Sequence, residues 1–213
     1  MWIFTKTINS FLTLFFPPLC LVCKRESSPL CIECTKKCRR SVETPYKWIY
    51  VTYSYKDHTV KKCIQLLKYY HRKDLIHPLV TGTYNRELFD FIGEKSETIL
   101  VPIPSPRRRI LLRGYNHALL VAKAYSELLG IPVSKNILIR ERYTKQQAKT
   151  KHRTDRIKNI AHAFTVNIPT HFIITQRIIL IDDTTTTGAT LSEAKKVLEK
   201  AGFKNIQAIT LAH

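Results

Sequence analysis

The feature that most constrains this chain is a strand, loop and helix signature near its C-terminal end. Residues 177–181 read Arg-Ile-Ile-Leu-Ile. After its first residue this is a continuous apolar run rich in isoleucine, the composition of a strand buried on both faces of a parallel sheet. It leads without a break into Asp182, Asp183, Thr184, Thr185, Thr186, Thr187, Gly188, Ala189 and Thr190. Such a strand delivers its loop to the carboxyl edge of the sheet, where α/β folds place ligands. The part from Thr186 to Thr190 offers backbone N–H groups, hydroxyls and a glycine that lets the chain approach a phosphate closely. A helix starting near Thr190 then points its positive end at that anion, and Thr190 with Glu193 has the Thr-x-x-Glu spacing of a capping box. Asp182 and Asp183 would be poor company for a phosphate alone. A ribose 5-phosphate reconciles the two halves, with its phosphate in the loop and its hydroxyls donating to the carboxylates.

The rest of the chain suits such a sheet. Residues 51–55 and 97–103 read as strands, and 206–211 as a last one. A helix begins around Val60, a second spans 118–129 and stops at Gly130 and Pro132, and a third spans 191–201 and is closed by Gly202. Strands alternating with helices predict an α/β fold, a mostly parallel sheet with flanking helices. The 213 residues hold one such domain and a small appendage. The expected division is an N-terminal helix with a cysteine module over 1–44 and the α/β domain over 45–213. In the first sixteen residues Phe4, Ile8, Phe11, Leu12 and Phe15 recur at helical spacing. This reads as a docking helix, on its own domain, a partner or a membrane face. A membrane-surface helix usually carries more basic residues on its polar face. The apolar run 11–16 is too short to cross a bilayer and has no small-residue cleavage site.

Five of the six cysteines crowd one short stretch, and Cys63 stands alone. Cys20 and Cys23, and again Cys31 and Cys34, are spaced Cys-x2-Cys. Each pair can turn two thiolates onto one ion, and four thiolates close a tetrahedral shell with no catalytic vacancy, which predicts a structural zinc. So short a module cannot bury a core of its own, so the metal would supply its folding energy. Cys38 is a substitute ligand at less usual spacing, and Cys63 reads as a buried apolar residue. With no secretory signal in view, free thiols point to a reducing cytoplasm.

Lysine and arginine number 35 against 16 acidic residues, for a formal charge of +19. Polyanions are therefore the expected partners: nucleic acid, an anionic membrane face or phosphorylated small molecules. The basic residues concentrate in Arg107, Arg108, Arg109 and Arg113, and in Arg140, Arg142, Lys145, Lys149, Lys151 and Arg153. Single-stranded DNA is the predicted contact of these segments, held largely by electrostatics. Tyr69, Tyr70, Tyr115 and Tyr143 lie among them, either as core residues or as stacking partners for bases.

The run from 178 to 190 resembles the phosphoribosyl pyrophosphate (PRPP) signature of type I phosphoribosyltransferases: apolar strand, two acids, two variable positions, Thr-Thr-Gly, one position, Thr. Asp182, Asp183, Thr186, Thr187, Gly188 and Thr190 fall on it without a gap. Further segments narrow the likeness. They are Val101-Pro102-Ile103-Pro104, Arg113-Gly114-Tyr115-Asn116, the spaced set Thr144, Gln147, Arg156, Asn159 and Ala163-Phe164, and Leu67-Lys68-Tyr69. With the N-terminal cysteines, this order resembles the ComF family of competence-associated proteins over nearly the whole chain. His71 departs from the family pattern, which has glycine there. The resemblance implies a zinc-ribbon-like start, a phosphoribosyltransferase domain binding PRPP with magnesium, and a pyrophosphate met by residues after the Pro-x-Pro strand, among them Ser105 and Arg107. It also implies a cytoplasmic role in natural transformation, beside the inner-membrane DNA-uptake machinery where single strands arrive. It does not imply an established reaction. Phosphoribosyl transfer, with Asp182 and Asp183 as its catalytic residues, and a non-catalytic sensor or DNA-binding module both remain open. A nucleobase salvage transferase is a third reading, which needs neither the cysteines nor the charge.

Overall fold

The computed structural model describes residues 17–141, 163–168 and 175–213. Four strands rich in aliphatic residues pair in parallel. They are β1 (Ile49–Tyr53), β2 (Thr98–Pro102), β5 (Arg177–Thr184) and β6 (Ile206–Ala212), in the order β1-β6-β5-β2. A separate antiparallel pair joins β3 (Leu138–Arg140) to β4 (Phe164–Val166). The helices are α1 (Ile32–Lys36), α2 (His58–Tyr69), α3 (Ile76–Thr81), α4 (Arg86–Ile92), α5 (Arg107–Arg113), α6 (His117–Leu129) and α7 (Ala189–Lys200). This is the expected class, a mostly parallel sheet with flanking helices behind a four-cysteine module.

The pleat of β5 divides the core in two. Ile179 and Ile181 face the layer that holds α2, α3 and α6. Ile178 and Leu180 face the layer that holds Leu191, Ala194 and Leu198 of α7. All four isoleucine and leucine side chains of β5 are fully buried, as the apolar run predicted. After β2 the chain reaches α6 in the first layer, and after β5 it enters α7 in the second, so the two lie on opposite faces of the sheet. In α/β folds such a reversal marks the carboxyl ends of the two strands as the place for a ligand.

Helix starts follow local chemistry. Asp57, Asn85 and Asn116 accept hydrogen bonds from the N–H groups of Val60, Leu88 and Ala118 and so cap α2, α4 and α6. The helix after the threonine loop differs from the capping-box expectation. It begins at Ala189, two residues earlier, and Gly188 caps it with no side-chain bond. Gly188 has φ of +72°, so its backbone turns the chain into the helix, and Thr190 already lies in the first turn. β5 also runs on to Thr184, so both aspartates are strand residues. The helix expected within 1–16 lies outside the described residues, as do Arg142, Lys145, Lys149, Lys151 and Arg153, and Thr144, Gln147, Arg156 and Asn159.

The cysteine module packs on the larger domain. Cys20, Leu30, Cys31 and Cys34 share one hydrophobic cluster with Tyr53, Leu67 and Leu79. Beyond it, residues 39–41 lie antiparallel against the free edge of β1: the Ser54 N–H donates to Arg39 O at 2.9 Å and the Ser41 N–H to Thr52 O at 3.2 Å. That cover removes an exposed strand edge. Gly82, at the end of α3, sits where a Cβ would overlap the Thr35 methyl and the Tyr53 hydroxyl. Gly82→Ala should therefore cost about 1–3 kcal/mol through overpacking, lowering the thermal midpoint by roughly 2–12 °C. A calorimetric scan that matches wild type would mean the module is not seated on α3.

Candidate functional site

β5 carries its two acids to the sheet edge with opposite orientations. Asp183 continues the face of Ile179 and Ile181, and Asp182 that of Ile178 and Leu180. Asp183 meets Lys68 from the last turn of α2, Nζ to Oδ2 at 3.3 Å, and Lys68 also donates to the Thr184 hydroxyl at 2.6 Å. Asp182 accepts from the Asp183 N–H and Asp183 from the Thr184 N–H, both at 2.8 Å. Burial, and then the charge of Asp183, raise the Asp182 pKa well above the usual carboxylate value, against the Asp183 N–H and Lys68, which lower it.

Beyond Thr184 the chain leaves the strand. Thr185 is tied to β6, its N–H donating to Ala212 O at 3.0 Å. The N–H groups of Thr186, Thr187 and Gly188 make no hydrogen bond among the described residues, and they stand at the N-terminus of α7. Free amides at a helix N-terminus form an anion cradle. The missing Cβ of Gly188 would point at Tyr46, 2.9 Å from its ring, and at Ile49. The glycine thus serves its left-handed backbone and the packing of Tyr46 against the loop.

Lys68 is held from behind. The buried His117 ring has its Nε2 3.0 Å from Leu67 O, and Tyr115 donates its hydroxyl to the same carbonyl at 3.3 Å. A neutral ring donating from Nε2 leaves Nδ1 to accept from Arg113 at 3.5 Å. Burial lowers the His117 pKa, opposed by the Leu67 carbonyl and Asp183. After Lys68 the chain turns at His71 with φ of +57°. This is the backbone glycine adopts most readily, so the departure noted in the sequence keeps the turn and costs about 1–2 kcal/mol. Lys73 lies 4.1 Å over the Tyr115 ring, and His71 meets it edge-on at 5.9 Å.

The other predicted residues fall around this edge. The Ile103 N–H donates to Ile181 O at 2.9 Å, which brings the segment after β2 beside Asp182. Ser105 donates to Asn116 Oδ1 at 2.9 Å. Arg107, Arg108 and Arg109 are exposed on α5. Arg113 lies 5.6 Å over the Tyr69 ring. Arg140 donates to Pro104 O at 3.3 Å and lies 5.1 Å over Phe164. Lys68, His117 and Tyr115 were not among the predicted site residues; the short motifs at 67–69 and 113–116 contain Lys68 and Tyr115, and His117 follows the second directly.

The metal-binding expectation meets a formed site. The sulfurs of Cys20, Cys23, Cys31 and Cys34 all lie within 4.8 Å of one another, and Cys23 and Cys31 are 3.7 Å apart. A tetrahedral zinc with bonds of about 2.3 Å separates its sulfurs by about 3.8 Å, so the donor set fits. Burial pushes Cys34 up to about 12, helped by its neighbouring thiols. At Cys20 burial also acts upward, but hydrogen bonds led by the Cys31 backbone outweigh it and bring the thiol down to about 6. Cys38 stands outside the four, its thiol 3.5 Å from Cys34 O. Cys63 is fully buried in the core, as read, and burial pushes it up to about 12.

The fold and these sites define an α/β domain with a mostly parallel sheet joined to a four-cysteine module. No protein-family model matches the chain. Competence protein F of Haemophilus influenzae is 36% identical over 113 residues, covering 53% of this chain and 49% of that protein, so the chain spans about half of it in the match. Competence protein ComFC of Streptococcus pneumoniae is 28% identical over 195 residues, covering 91% of this chain and 79% of that protein. The DNA utilization protein YhgH of Salmonella typhimurium is 25% identical, covering 89% and 87%. Among solved structures, the glutamine PRPP amidotransferase from B. subtilis, complexed with ADP and GMP, is similar with a TM-score of 0.40 and 18% identity, covering 65% of this chain and 25% of that one. These relatives support the likeness to the ComF family read from the sequence.

Two outcomes follow from the geometry. Purified protein should hold about one zinc per chain, and Cys31→Ser should lose it and destabilise the module. Full zinc occupancy after replacing all four cysteines would refute the centre. At Asp182, the folded state holds a proton more tightly than the unfolded chain. It therefore adds stability below the ordinary carboxylate pKa and loses it as pH rises from there toward the raised folded value. Ligand-free Asp182→Asn should melt above wild type at neutral pH, and the gap should close in acid. A lower melting point at neutral pH would show that the carboxylate is not disfavoured in the fold.

Proposed function

We propose that this chain is a cytoplasmic ribose-phosphate-binding protein of natural transformation, which takes PRPP with magnesium and works on or with single-stranded DNA. The observation that carries the reading is the continuity of two acids and an anion cradle on one strand end. Asp182 and Asp183 present acceptors for ribose hydroxyls, and three residues later the free amides of Thr186, Thr187 and Gly188 face the N-terminus of α7. The exposed arginines of α5 follow the segment that pairs with β5 through Ile103 and Ile181, and suit a pyrophosphate carrying magnesium. Magnesium, when bound with PRPP, would neutralise the leaving group. The names of the related proteins from Haemophilus, Streptococcus and Salmonella support a role in competence or DNA use. The formal charge of +19 suits a polyanionic partner. No helix among the described residues is long and apolar enough to cross a membrane, and a place at the inner face of the membrane stays part of this proposal.

Transfer would break the bond from ribose C1 to pyrophosphate oxygen, which leaves with the electron pair, while a nucleophile forms the new bond at C1. One observation favours binding without that chemistry. His117 is close enough to feel the Asp183 charge, yet its ring is buried and committed to Leu67 O, so it is unsuited as a general base. A pyrophosphate-release assay from PRPP, with free bases, nucleosides and single-stranded DNA as acceptors, separates transferase from sensor.

The binding site itself is tested by titration calorimetry. Asp182→Asn combined with Asp183→Asn should weaken Mg-PRPP more than tenfold, because charge-assisted hydrogen bonds worth about 1.5–3 kcal/mol each are lost. Ribose 5-phosphate should weaken less in Gly188→Asn, which tolerates a left-handed backbone, than in Gly188→Val, which does not. Wild-type affinity for PRPP in the double Asn variant would remove the ribose-phosphate reading.

A further inference from the structure

A second concave site opens beside the phosphate loop. It is a cleft of about 380 Å³ formed by residues 39–43, the turn after β1, Lys61 of α2 and His213. Its floor and the loop share one strand end. The His213 ring Nε2 lies 2.7 Å from Thr186 O, the Tyr55 N–H donates to His213 O at 2.7 Å, and the Thr185 N–H donates to Ala212 O at 3.0 Å. Because β1, β6 and β5 are adjacent and parallel, the cleft lies on the same carboxyl edge as the cradle, displaced toward β1.

The charge of this cleft leans positive. Arg39, Lys56 and Lys61 line it, are exposed, and form no ion pair among the described residues. Arg40 also lines it, but its guanidinium donates to Gly82 O and lies 4.9 Å over the Tyr53 ring, so it is part of the wall. Two carboxylates oppose the three free cations. Glu43 lines the cleft. Asp57 stands beside it with its oxygens accepting from the Arg39 and Val60 N–H groups at 2.9 and 3.0 Å. Three uncommitted cations around a concavity focus an attractive field on an anion. Lysine and arginine at an open rim are the usual partners of phosphodiesters. Tyr55 adds an aromatic ring to the lining, the element that single-strand binders use for stacking.

We propose that this cleft takes the phosphate backbone of a single-stranded nucleic acid whose terminal nucleotide reaches the Asp182–Thr190 loop. The proposal rests on the ribose-phosphate and DNA reading above and adds the path of the strand: along the carboxyl edge from β5 toward β1, over residues distinct from the arginines of α5 and the segment after β3. The cleft neighbours the cradle through His213 and Thr186, so a strand seated there continues directly from a sugar-phosphate in the loop.

The test is fluorescence anisotropy of full-length, zinc-loaded protein with a 3′-labelled oligothymidylate over a salt series. Arg39→Ala, Lys56→Ala and Lys61→Ala together should weaken binding by about tenfold or more and reduce the slope of log affinity against log salt by about 2, since each single-strand phosphate contact contributes about 0.7. Mg-PRPP affinity and thermal midpoint should stay at wild-type values. The charge-conserving set Arg39→Lys, Lys56→Arg and Lys61→Arg should restore the slope. Lys61→Gln alone, at an exposed helix position, should cost about 0.7 in slope even if the triple variant folds poorly. Wild-type slopes in both neutralised variants would overturn the cleft and leave the ribose-phosphate reading standing. Equal competition by thymidine monophosphate, phosphate for phosphate, would also overturn it, because a strand path favours linked phosphates. Absence of oligonucleotide binding by wild type would overturn the DNA reading along with the cleft.

Discussion

Two carboxylates at the end of one buried strand set the terms for everything around them. Like charges on adjacent residues in a poorly solvated place repel, and the fold answers with one cation. Lys68 reaches Asp183 and the Thr184 hydroxyl from an element 116 residues away in sequence. The end of α2 must then be held still, and His117 and Tyr115 do this through the Leu67 carbonyl. The stretch at 113–117 is thus a brace for the cation of the site. Among the described residues Asp182 receives no such partner and is the electrostatically uncomfortable member of the pair. A site that keeps one acid paired and one under strain is ready for a ligand that brings donors or a cation of its own.

The cysteine module solves a different problem. Its four thiols cluster within bonding reach of one ion, and their titration behaviour is split by burial and by local amides. Its contribution to the larger domain is mechanical. It anchors the segment that covers β1, and Arg40 of that segment reaches Gly82 and Tyr53 on the far side of the same cluster. Stability here is shared between a small metal-ready unit and a sheet edge that would otherwise be open to another chain.

Much of this was legible in the sequence, for identifiable reasons. The strand at 177–181, the acids and the threonine loop are contiguous, so their relation survives in one dimension. The Cys-x2-Cys pairs carry their geometry in their spacing. Glycine at 130 and the helix before it obey local rules that hold regardless of tertiary context. What stayed hidden is long-range or conformational. Nothing near Lys68 in the sequence announces Asp183. Nothing near Gly188 announces Tyr46, whose ring is the reason a side chain does not fit. The capping-box spacing at Thr190 and Glu193 misled because it ignored the left-handed glycine that turns the chain two residues earlier. The short helices α3 and α4 were missed because six or seven residues carry too little periodicity to be read.

The contact between Gly188 and Tyr46 links two parts of the molecule that the sequence keeps apart. Tyr46 stacks near Trp48 at 6.0 Å between ring centres, and Lys195 of α7 lies 4.5 Å over Trp48. The stretch that leaves the cysteine module and enters β1 is therefore wedged against both the loop and the helix that follows it. The tyrosine thus backs the loop: a side chain on the way out of the cysteine module sets how much room is left beside the glycine that turns the chain into α7.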